Sequence, residues 1–287
     1  MEIERQVKSG THSPRSPTET EFSMTEATRV LAELDEHGVL LLTMNRPEKK
    51  NAFDEEQWDA LSTALRDAEA NPAVAVVVLT GAGGNFSSGA DLSAFRGGDR
   101  PPREDGFASG FFAAEAHLLA FAKPILTAVA GVAVGGGCTI AIASDITYVG
   151  ESLRARLPFA NLGLVPEIAS SYTLQAQIGR QRANELMFTA EWINAARALE
   201  LGIAARAFPD DELLPAALEK AREIAQWPTS ALMAIKRTMN KAHRAGIEAA
   251  LEIEHDEMSK QQGSPENIEA IKAFIEKRKP DFRQFRK

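Results

Sequence analysis

Apolar runs alternate with segments of helical periodicity along most of the chain. Two apolar runs, 28–34 and 39–45, flank the polar sequence DEHG and predict a β-hairpin. The segment 53–71 has apolar residues at helical spacing, beginning with Trp58, behind an acidic first turn, which predicts a helix. Further strands are predicted at 73–81, 124–131, 145–150, 153–159 and 203–209. Further helices are predicted at 108–122, 135–145, from Pro166 to about Gly179, and at 182–190 and 194–202.

Strand–strand–helix units thus recur over 27–209, while the pattern from residue 210 onward is helical only. This order of elements predicts the α/β class. The polar residues 1–24 are rich in Ser, Thr and Pro and are expected to form a disordered extension. A core is then expected over 25–210 and a helical C-terminal region over 211–287.

Net charge and cysteine content indicate which binding partners and which cellular compartment are expected. The net charge of −8 disfavours nucleic acid and anionic membranes, which attract clustered cations. Cys138 is the single cysteine among 287 residues, so no disulfide can form within the chain and a cytoplasmic location is expected. No apolar run reaches the roughly 18–20 residues of a membrane span.

Several common nucleotide-binding, nucleophile and metal-binding motifs lack a required residue in this sequence. The loop GAGGNF (81–86) follows a strand, but Phe86 stands where the dinucleotide-binding pattern needs its third glycine. Asn85 likewise breaks the nucleophile-elbow pattern, and no G-K-[ST] of a phosphate-binding loop is present. The histidines are scattered and form no metal-ligand spacing, so no metal site is expected.

Two glycine-containing junctions remain, SSGAD at 87–91 and VGGGC at 134–138, the second opening a predicted helix. A helix N-terminus leaves unsatisfied N–H groups with the positive end of the helix dipole behind them. Two such N–H groups that converge on one point form an oxyanion hole. The alternative is that these glycines only permit turns and close packing.

Six stretches taken together resemble the crotonase superfamily, the enoyl-CoA hydratase/isomerase group, in the family's order and spacing. They are LLTMNRPEKKNAFD (41–54), VVVLTGAGGNFSSGADLSAF (76–95), KPILTAVAGVAVGGGCTIAIASDI (123–146), LPFANLGLVPEIASSYTL (157–174), INAARALELGIAARAFP (193–209) and AFIEKRKPDF (273–282). The resemblance implies a spiral of β-β-α turns with a helical C-terminal tail. It also implies acyl-CoA thioester substrates, no cofactor beyond the CoA of the substrate, and assembly as a homotrimer or a dimer of trimers.

Carried over by position, the resemblance implies that the backbone N–H groups of Ala90 and Gly136 form the oxyanion hole. Backbone around Ser88, Ala90 and Leu92 is implied to meet the CoA adenine, and Lys50 to lie near the CoA phosphates.

Lys277 or Arg278 is implied to reach the CoA of a neighbouring subunit. The alternative for these three cations is a solvated surface charge.

The acid–base residues depart from the two-carboxylate hydratases of this group. Thr139 and Phe159 occupy the two positions where those enzymes carry glutamate. Glu167, in PEIASSYT, instead resembles the single proton-shuttling glutamate of the peroxisomal-type Δ3,Δ2-enoyl-CoA isomerases. On spacing alone, Pro166 and Glu167 also fit the first two positions of a helix, a purely structural alternative.

The leading expectation is therefore a Δ3,Δ2-enoyl-CoA isomerase that uses Glu167 as its proton shuttle, with Phe159 and Tyr172 lining an acyl pocket. Packing in the core is the alternative for Tyr172. A 2-enoyl-CoA hydratase that pairs Glu167 with an unusual partner is the first alternative. A catalytically silent acyl-CoA-binding protein of the same fold is the second.

Overall fold

The computed structural model describes residues 28–91 and 103–286. The predictions for 1–24 and for Leu92 lie outside these residues. The strands are β1 (Val30–Leu34), β2 (Val39–Met44), β3 (Val76–Gly81), β4 (Ile125–Val129), β5 (Val132–Val134), β6 (Ile146–Gly150), β7 (Arg154–Arg156) and β8 (Arg206–Phe208). The helices are α1 (Glu55–Ala70), α2 (Gly110–Ala120), α3 (Gly136–Ala143), α4 (Ser170–Ile178), α5 (Arg180–Thr189), α6 (Ala195–Leu201), α7 (Asp210–Ala225), α8 (Thr229–Lys241), α9 (Arg244–Gln261) and α10 (Pro265–Ile275).

Six strands form a mixed sheet in the order β1-β2-β3-β4-β6-β8. The hairpin prediction is confirmed, since β1 and β2 pair antiparallel from Val30 opposite Met44 to Leu34 opposite Leu40. Every later pair in this sheet is parallel, as expected where helices connect successive strands. The α/β class predicted from the order of elements is confirmed.

One strand was not predicted. The residues Val132–Val134 form β5, which pairs in parallel with β7 in a separate two-stranded sheet. A strand of three residues is too short to show a periodic pattern. It is separated from β4 by Gly131, whose φ of +57° turns the chain and whose added Cβ would lie 2.2 Å from the Gly84 carbonyl oxygen. Only glycine fits this turn.

The core lies on both faces of the main sheet. Alternate residues of β3 enter two different hydrophobic clusters, Val77 and Leu79 in one and Val76 and Val78 in the other. The first cluster contains the buried face of α1, including Trp58. The second contains Leu213 of α7, so the first helix after residue 209 covers the opposite face of the sheet.

The last helices are less buried than α7. Helix α8 has no buried residue, and its side chains Ile235 and Met239 are 57% and 68% exposed. Among the residues that the structure describes, no helix is both long and apolar enough to cross a membrane.

The packing of α7 on the sheet makes a prediction about stability. Leu213 is 3% exposed, so Leu213→Ala removes buried methyl groups and leaves a cavity. We expect a loss of about 2–5 kcal/mol in the free energy of unfolding, measured by urea denaturation. Leu199→Ala on α6, where the side chain is 40% exposed, is the control and should cost much less. Equal losses in the two variants would show that α7 does not form part of the core.

Candidate active site

The loop 87–91 presents one backbone N–H group without an acceptor. On either side of Ala90, the Gly89 N–H donates to Ser87 Oγ at 3.1 Å and the Asp91 N–H donates to the Phe53 carbonyl at 2.8 Å. The Ala90 N–H has no acceptor among the described residues, and Ala90 is exposed. The loop therefore leaves this donor free to bind an acceptor.

A partly buried ion pair holds the end of this loop. Arg46 Nη1 lies 2.8 Å from Asp91 Oδ2, and these side chains are 12% and 10% exposed. The same guanidinium donates to the Ala52 carbonyl at 3.1 Å and lies 3.3 Å from Asp54 at the start of α1. Asp91 therefore ties down its loop.

The second open donor lies at the start of α3. Gly135 has a φ of +52° and donates its N–H to the Arg156 carbonyl at 3.0 Å. The N–H of Gly136 is then the first of the helix and has no acceptor within the described chain. A Cβ added to Gly137 would lie 2.6 Å from the Ser87 carbonyl oxygen, so the two loops are in direct contact. The glycines thus do permit close packing, and they also leave the two donors in adjacent loops.

The Glu167 carboxylate reaches the second of these loops. Its Oε1 lies 3.2 Å from the point where a Cβ on Gly136 would be, and the Trp58 ring lies 3.2 Å from the same point. Trp58 in turn stacks on Phe53 with ring centroids 3.8 Å apart. Glu167, a potential base, therefore lies beside Gly136, whose N–H group is open, and close to the Trp58 ring.

The prediction of a helix starting at Pro166 was wrong. Helix α4 begins at Ser170, and Ile168 and Ala169 before it have φ values of 57° and 54°. Glu167 therefore stands in a turn that precedes the helix and is not its second residue, so the structural alternative of a helix-opening glutamate does not hold.

Two buried glutamates, which are distant in sequence, accept hydrogen bonds from the backbone amides that follow Glu167. The Ile168 N–H donates to Glu115 Oε1 at 3.1 Å. The Ala169 and Ser171 N–H groups donate to the two oxygens of Glu254 at 2.8 and 2.7 Å. Both glutamates are 3% exposed, and they come from α2 and α9.

The electrostatics of the site favour a protonated Glu167. Burial raises the pKa of its carboxyl to about 8, and the negative charges of Glu115 and Glu254 act in the same direction. Burial also raises the pKa of Glu115, against the opposing charge of His255, whose Nε2 lies 2.6 Å from Glu115 Oε2. Burial raises the pKa of Glu254, against the amides that bond to it. The pKa of Glu167 thus lies close to neutral pH, where the carboxyl group can both accept and release a proton.

The predicted acyl-pocket residues lie on either side of Glu167 in sequence. Phe159 is 5% exposed and belongs to the main hydrophobic cluster. Tyr172 packs on α9, where its ring occupies the space of a Cβ on Gly246 and its hydroxyl lies 3.1 Å from His243 Nδ1.

Thr139 and Cys138, the neighbours of the glycine run, are both buried. The Thr139 hydroxyl donates to the Gly136 carbonyl at 3.2 Å within the first turn of α3. Burial raises the pKa of the Cys138 thiol to about 12, so it packs as a small apolar group.

The residues predicted to meet CoA are only partly brought together. The Ser88 N–H donates to the Lys50 carbonyl at 2.9 Å, so the Lys50 turn lies beside the loop that carries Ala90. The Lys50 side chain is exposed. Lys277 lies two residues after the end of α10 and is exposed, whereas Arg278 is bound to Glu269.

Glu115, Glu254 and His255 were missed as site residues. Glu115 had a usable signal, because it is the single acidic residue in the mostly apolar sequence of α2, GFFAAEAHLLA. An isolated carboxylate on an apolar helix indicates a buried polar contact. Glu254 gave no such signal, because α9 is rich in charged residues.

Comparisons with known proteins agree on one family. Residues 35–286 match the family model described as Enoyl-CoA hydratase/isomerase. The chain is 33% identical over 250 residues to 1,2-epoxyphenylacetyl-CoA isomerase of Escherichia coli, covering 86% of this chain and 95% of the relative. It is 32% identical over 245 residues to 2,3-dehydroadipyl-CoA hydratase of the same organism, covering 85% and 95%. The crystal structure of an enoyl-CoA hydratase/isomerase from Pseudoalteromonas atlantica matches with a TM-score of 0.82 and 32% identity, over 88% of this chain and 99% of that one.

The raised pKa of Glu167 predicts a pH-dependent cost to stability. Between the ordinary glutamate value and about pH 8, the folded state keeps a proton that the unfolded state has released, so stability falls as pH rises. Glu167→Gln removes this cost. We expect its stability gain over wild type to be at least about 1 kcal/mol larger at about pH 9 than at about pH 5, measured by urea denaturation. A gain that does not change with pH would contradict the raised pKa.

Proposed function

The chain belongs to the enoyl-CoA hydratase/isomerase family, and we propose that within this family it moves a carbon–carbon double bond of a 3-enoyl-CoA thioester to position 2. The observation that carries the proposal is the position of Glu167. Its carboxylate lies beside Gly136, whose N–H group is open, and the next residue, Gly137, packs against the loop that bears the open N–H of Ala90. The site thus combines one base with two donors for a developing negative charge.

The reaction starts with removal of a proton from C2 of the thioester by the Glu167 carboxylate. The electron pair left at C2 delocalises over the thioester and the C3–C4 double bond, giving a dienolate. The N–H groups of Ala90 and Gly136 donate to the thioester oxygen as its negative charge develops, an effect worth about 3 kcal/mol for a single donor. Glu167 then returns the proton to C4 while the double bond forms between C2 and C3. Atoms and charge balance without a redox cofactor.

The electrostatics of Glu167 suit this role. A group that must first accept a proton and then return it works best when its pKa lies near the operating pH. Burial and the neighbouring charges of Glu115 and Glu254 raise the pKa of Glu167 to about 8, well above that of a free glutamate. The carboxylate is therefore a stronger base than that of a free glutamate, and its acid form is still able to protonate C4.

The CoA part of the substrate is proposed to lie along the loops that carry the two donors. Lys50, exposed beside Ser88, would contact the CoA phosphates, and the backbone from Ser88 to Ala90 the adenine. Phe159 and Tyr172 are the proposed residues on the acyl side of Glu167. Lys277 remains proposed for the CoA of a neighbouring copy, supported by its exposure after α10.

Hydration of a 2-enoyl-CoA is the alternative that a specific observation favours. A relative of similar identity is a 2,3-dehydroadipyl-CoA hydratase, and Glu115 supplies a second carboxylate near Glu167. Both Glu115 oxygens are bonded, however, one to the Ile168 N–H and the other to His255. A carboxylate with both oxygens engaged is poorly placed to orient a water, so isomerisation is the better fit.

The test is to compare wild type with Glu167→Gln on a 3-enoyl-CoA and a 2-enoyl-CoA of the same chain length. Loss of the carboxylate removes the base but keeps the side-chain shape, so we expect kcat for isomerisation to fall by about 10²–10⁴ with little change in KM. Glu151→Gln, an exposed carboxylate in a turn, is the matched control and should match wild type.

Three outcomes would contradict the proposal. Wild type that hydrates the 2-enoyl-CoA as fast as it isomerises the 3-enoyl-CoA would favour the hydratase alternative. Wild type that binds both thioesters without turnover would favour a silent acyl-CoA-binding protein. Isomerisation that persists in Glu167→Gln would place the base elsewhere.

A further inference from the structure

The turn that presents Glu167 cannot hold its conformation by local interactions alone. Ile168 and Ala169 both adopt left-handed backbone angles, a conformation that disfavours residues with a Cβ, and most strongly a β-branched one. Ala169 is also the N-cap residue of α4 and has no side-chain oxygen to accept the first N–H groups of the helix. Both the strain and the open amides need compensation from other parts of the chain.

Glu115 and Glu254 provide this compensation. Between them they accept the N–H groups of Ile168, Ala169 and Ser171, at distances between 2.7 and 3.1 Å. Glu254 thus caps α4 from a helix more than 80 residues away in sequence. Bonds from amides to ionised carboxylates are stronger than bonds between neutral groups, and in a buried site they are further strengthened.

We propose that Glu115 and Glu254 are positioning residues of the proton-transfer reaction, which fix the turn at 168–171 and thereby hold the Glu167 carboxylate beside Gly136. This inference rests on the proposed function. Neither residue is assigned contact with the substrate. Their action runs through the backbone amides that follow Glu167, and a carboxylate that shifts by about 1 Å from its reacting carbon loses much of its rate.

Glu115 and Glu254 also act on Glu167 through their negative charges. The titratable groups that face Glu167 are Glu115 on α2 and Glu254 on α9, and His255 on α9 is bound to Glu115. Replacing Glu254 by glutamine removes one negative charge from this set. The proton is then held less tightly by Glu167, so the pH at which Glu167 ionises must fall. A residue that served stability alone, with no charge acting on Glu167, would leave that pH unchanged.

The experiment uses the full chain with Glu254→Gln, Glu115→Gln and the control Glu252→Gln. Glu252 is an exposed carboxylate on α9, two residues from Glu254, so its variant makes the same change of charge and shape outside the site. Three quantities are measured for each protein. They are kcat and KM for a 3-enoyl-CoA, the pH profile of kcat/KM, and hydrogen–deuterium exchange of a peptide that covers 164–174.

We expect kcat to fall by about 10–100-fold in Glu254→Gln and in Glu115→Gln, with KM changed by less than about threefold. The peptide at 164–174 should exchange faster in both variants, because a glutamine amide cannot accept every N–H that the carboxylate accepted. The acid limb of the pH profile, in which activity rises as Glu167 ionises, should move to lower pH in Glu254→Gln. Glu252→Gln should match wild type in all three measurements.

The inference is overturned if exchange at 164–174 stays at the wild-type rate in both variants, or if exchange rises while kcat and the pH profile stay unchanged. A variant that unfolds is recognised by faster exchange throughout the chain, and the other variant then decides. Failure of the proposed function looks different, because wild type itself would not isomerise the 3-enoyl-CoA. In that case the exchange data still show whether the two carboxylates hold the turn.

Discussion

The site depends on the absence of side chains at the start of α3. A Cβ at Gly136 would lie 3.2 Å from both the Glu167 carboxylate and the Trp58 ring, and a Cβ at Gly137 would lie 2.6 Å from the Ser87 carbonyl oxygen. Such contacts are tighter than ordinary van der Waals packing, so any side chain would push the two loops or the carboxylate apart. Two glycines thus allow the base and two open N–H groups to occupy one small region of the molecule.

Charge is the second constraint on this region. Three carboxylates interact here, two of them buried (Glu115 and Glu254) and one half-buried (Glu167), and burial raises the pKa of each. Glu115 and Glu254 are compensated by backbone amides, and Glu115 also by His255. Glu167 lacks such partners among the described residues, and its pKa is the one raised as far as about 8. The arrangement leaves one carboxylate able to exchange a proton while two others remain structural.

Patterns between residues close in sequence predicted most of the strands and helices. The hairpin of β1 and β2, the apolar run of β3 and the helical spacing around Trp58 each depend on neighbours a few residues apart, and each was predicted. The glycine loops and Glu167 were singled out for the same reason, helped by the resemblance to a family. The β5 strand was missed because three residues carry no period.

Long-range contacts explain the rest. The helix after Pro166 was predicted to start at once, as the sequence PEIASSY favours, but Ile168 and Ala169 are held in left-handed angles. Their amides bond to glutamates 53 and 85 residues away. No sequence pattern around Glu167 indicates these distant glutamates. The sequence could therefore identify the Glu167 carboxylate, but not the turn that positions it.

In the proposed reaction, the single carboxylate of Glu167 carries the proton from C2 to C4. Its most direct test is a single-turnover isomerisation, in ordinary water, of a 3-enoyl-CoA that carries two deuterons at C2. The position of deuterium in the product is read by NMR. We expect part of the deuterium removed from C2 to be found at C4, because Glu167 returns the atom it took. Product with no deuterium at C4 would contradict a transfer in which Glu167 keeps the removed proton and returns it to the substrate.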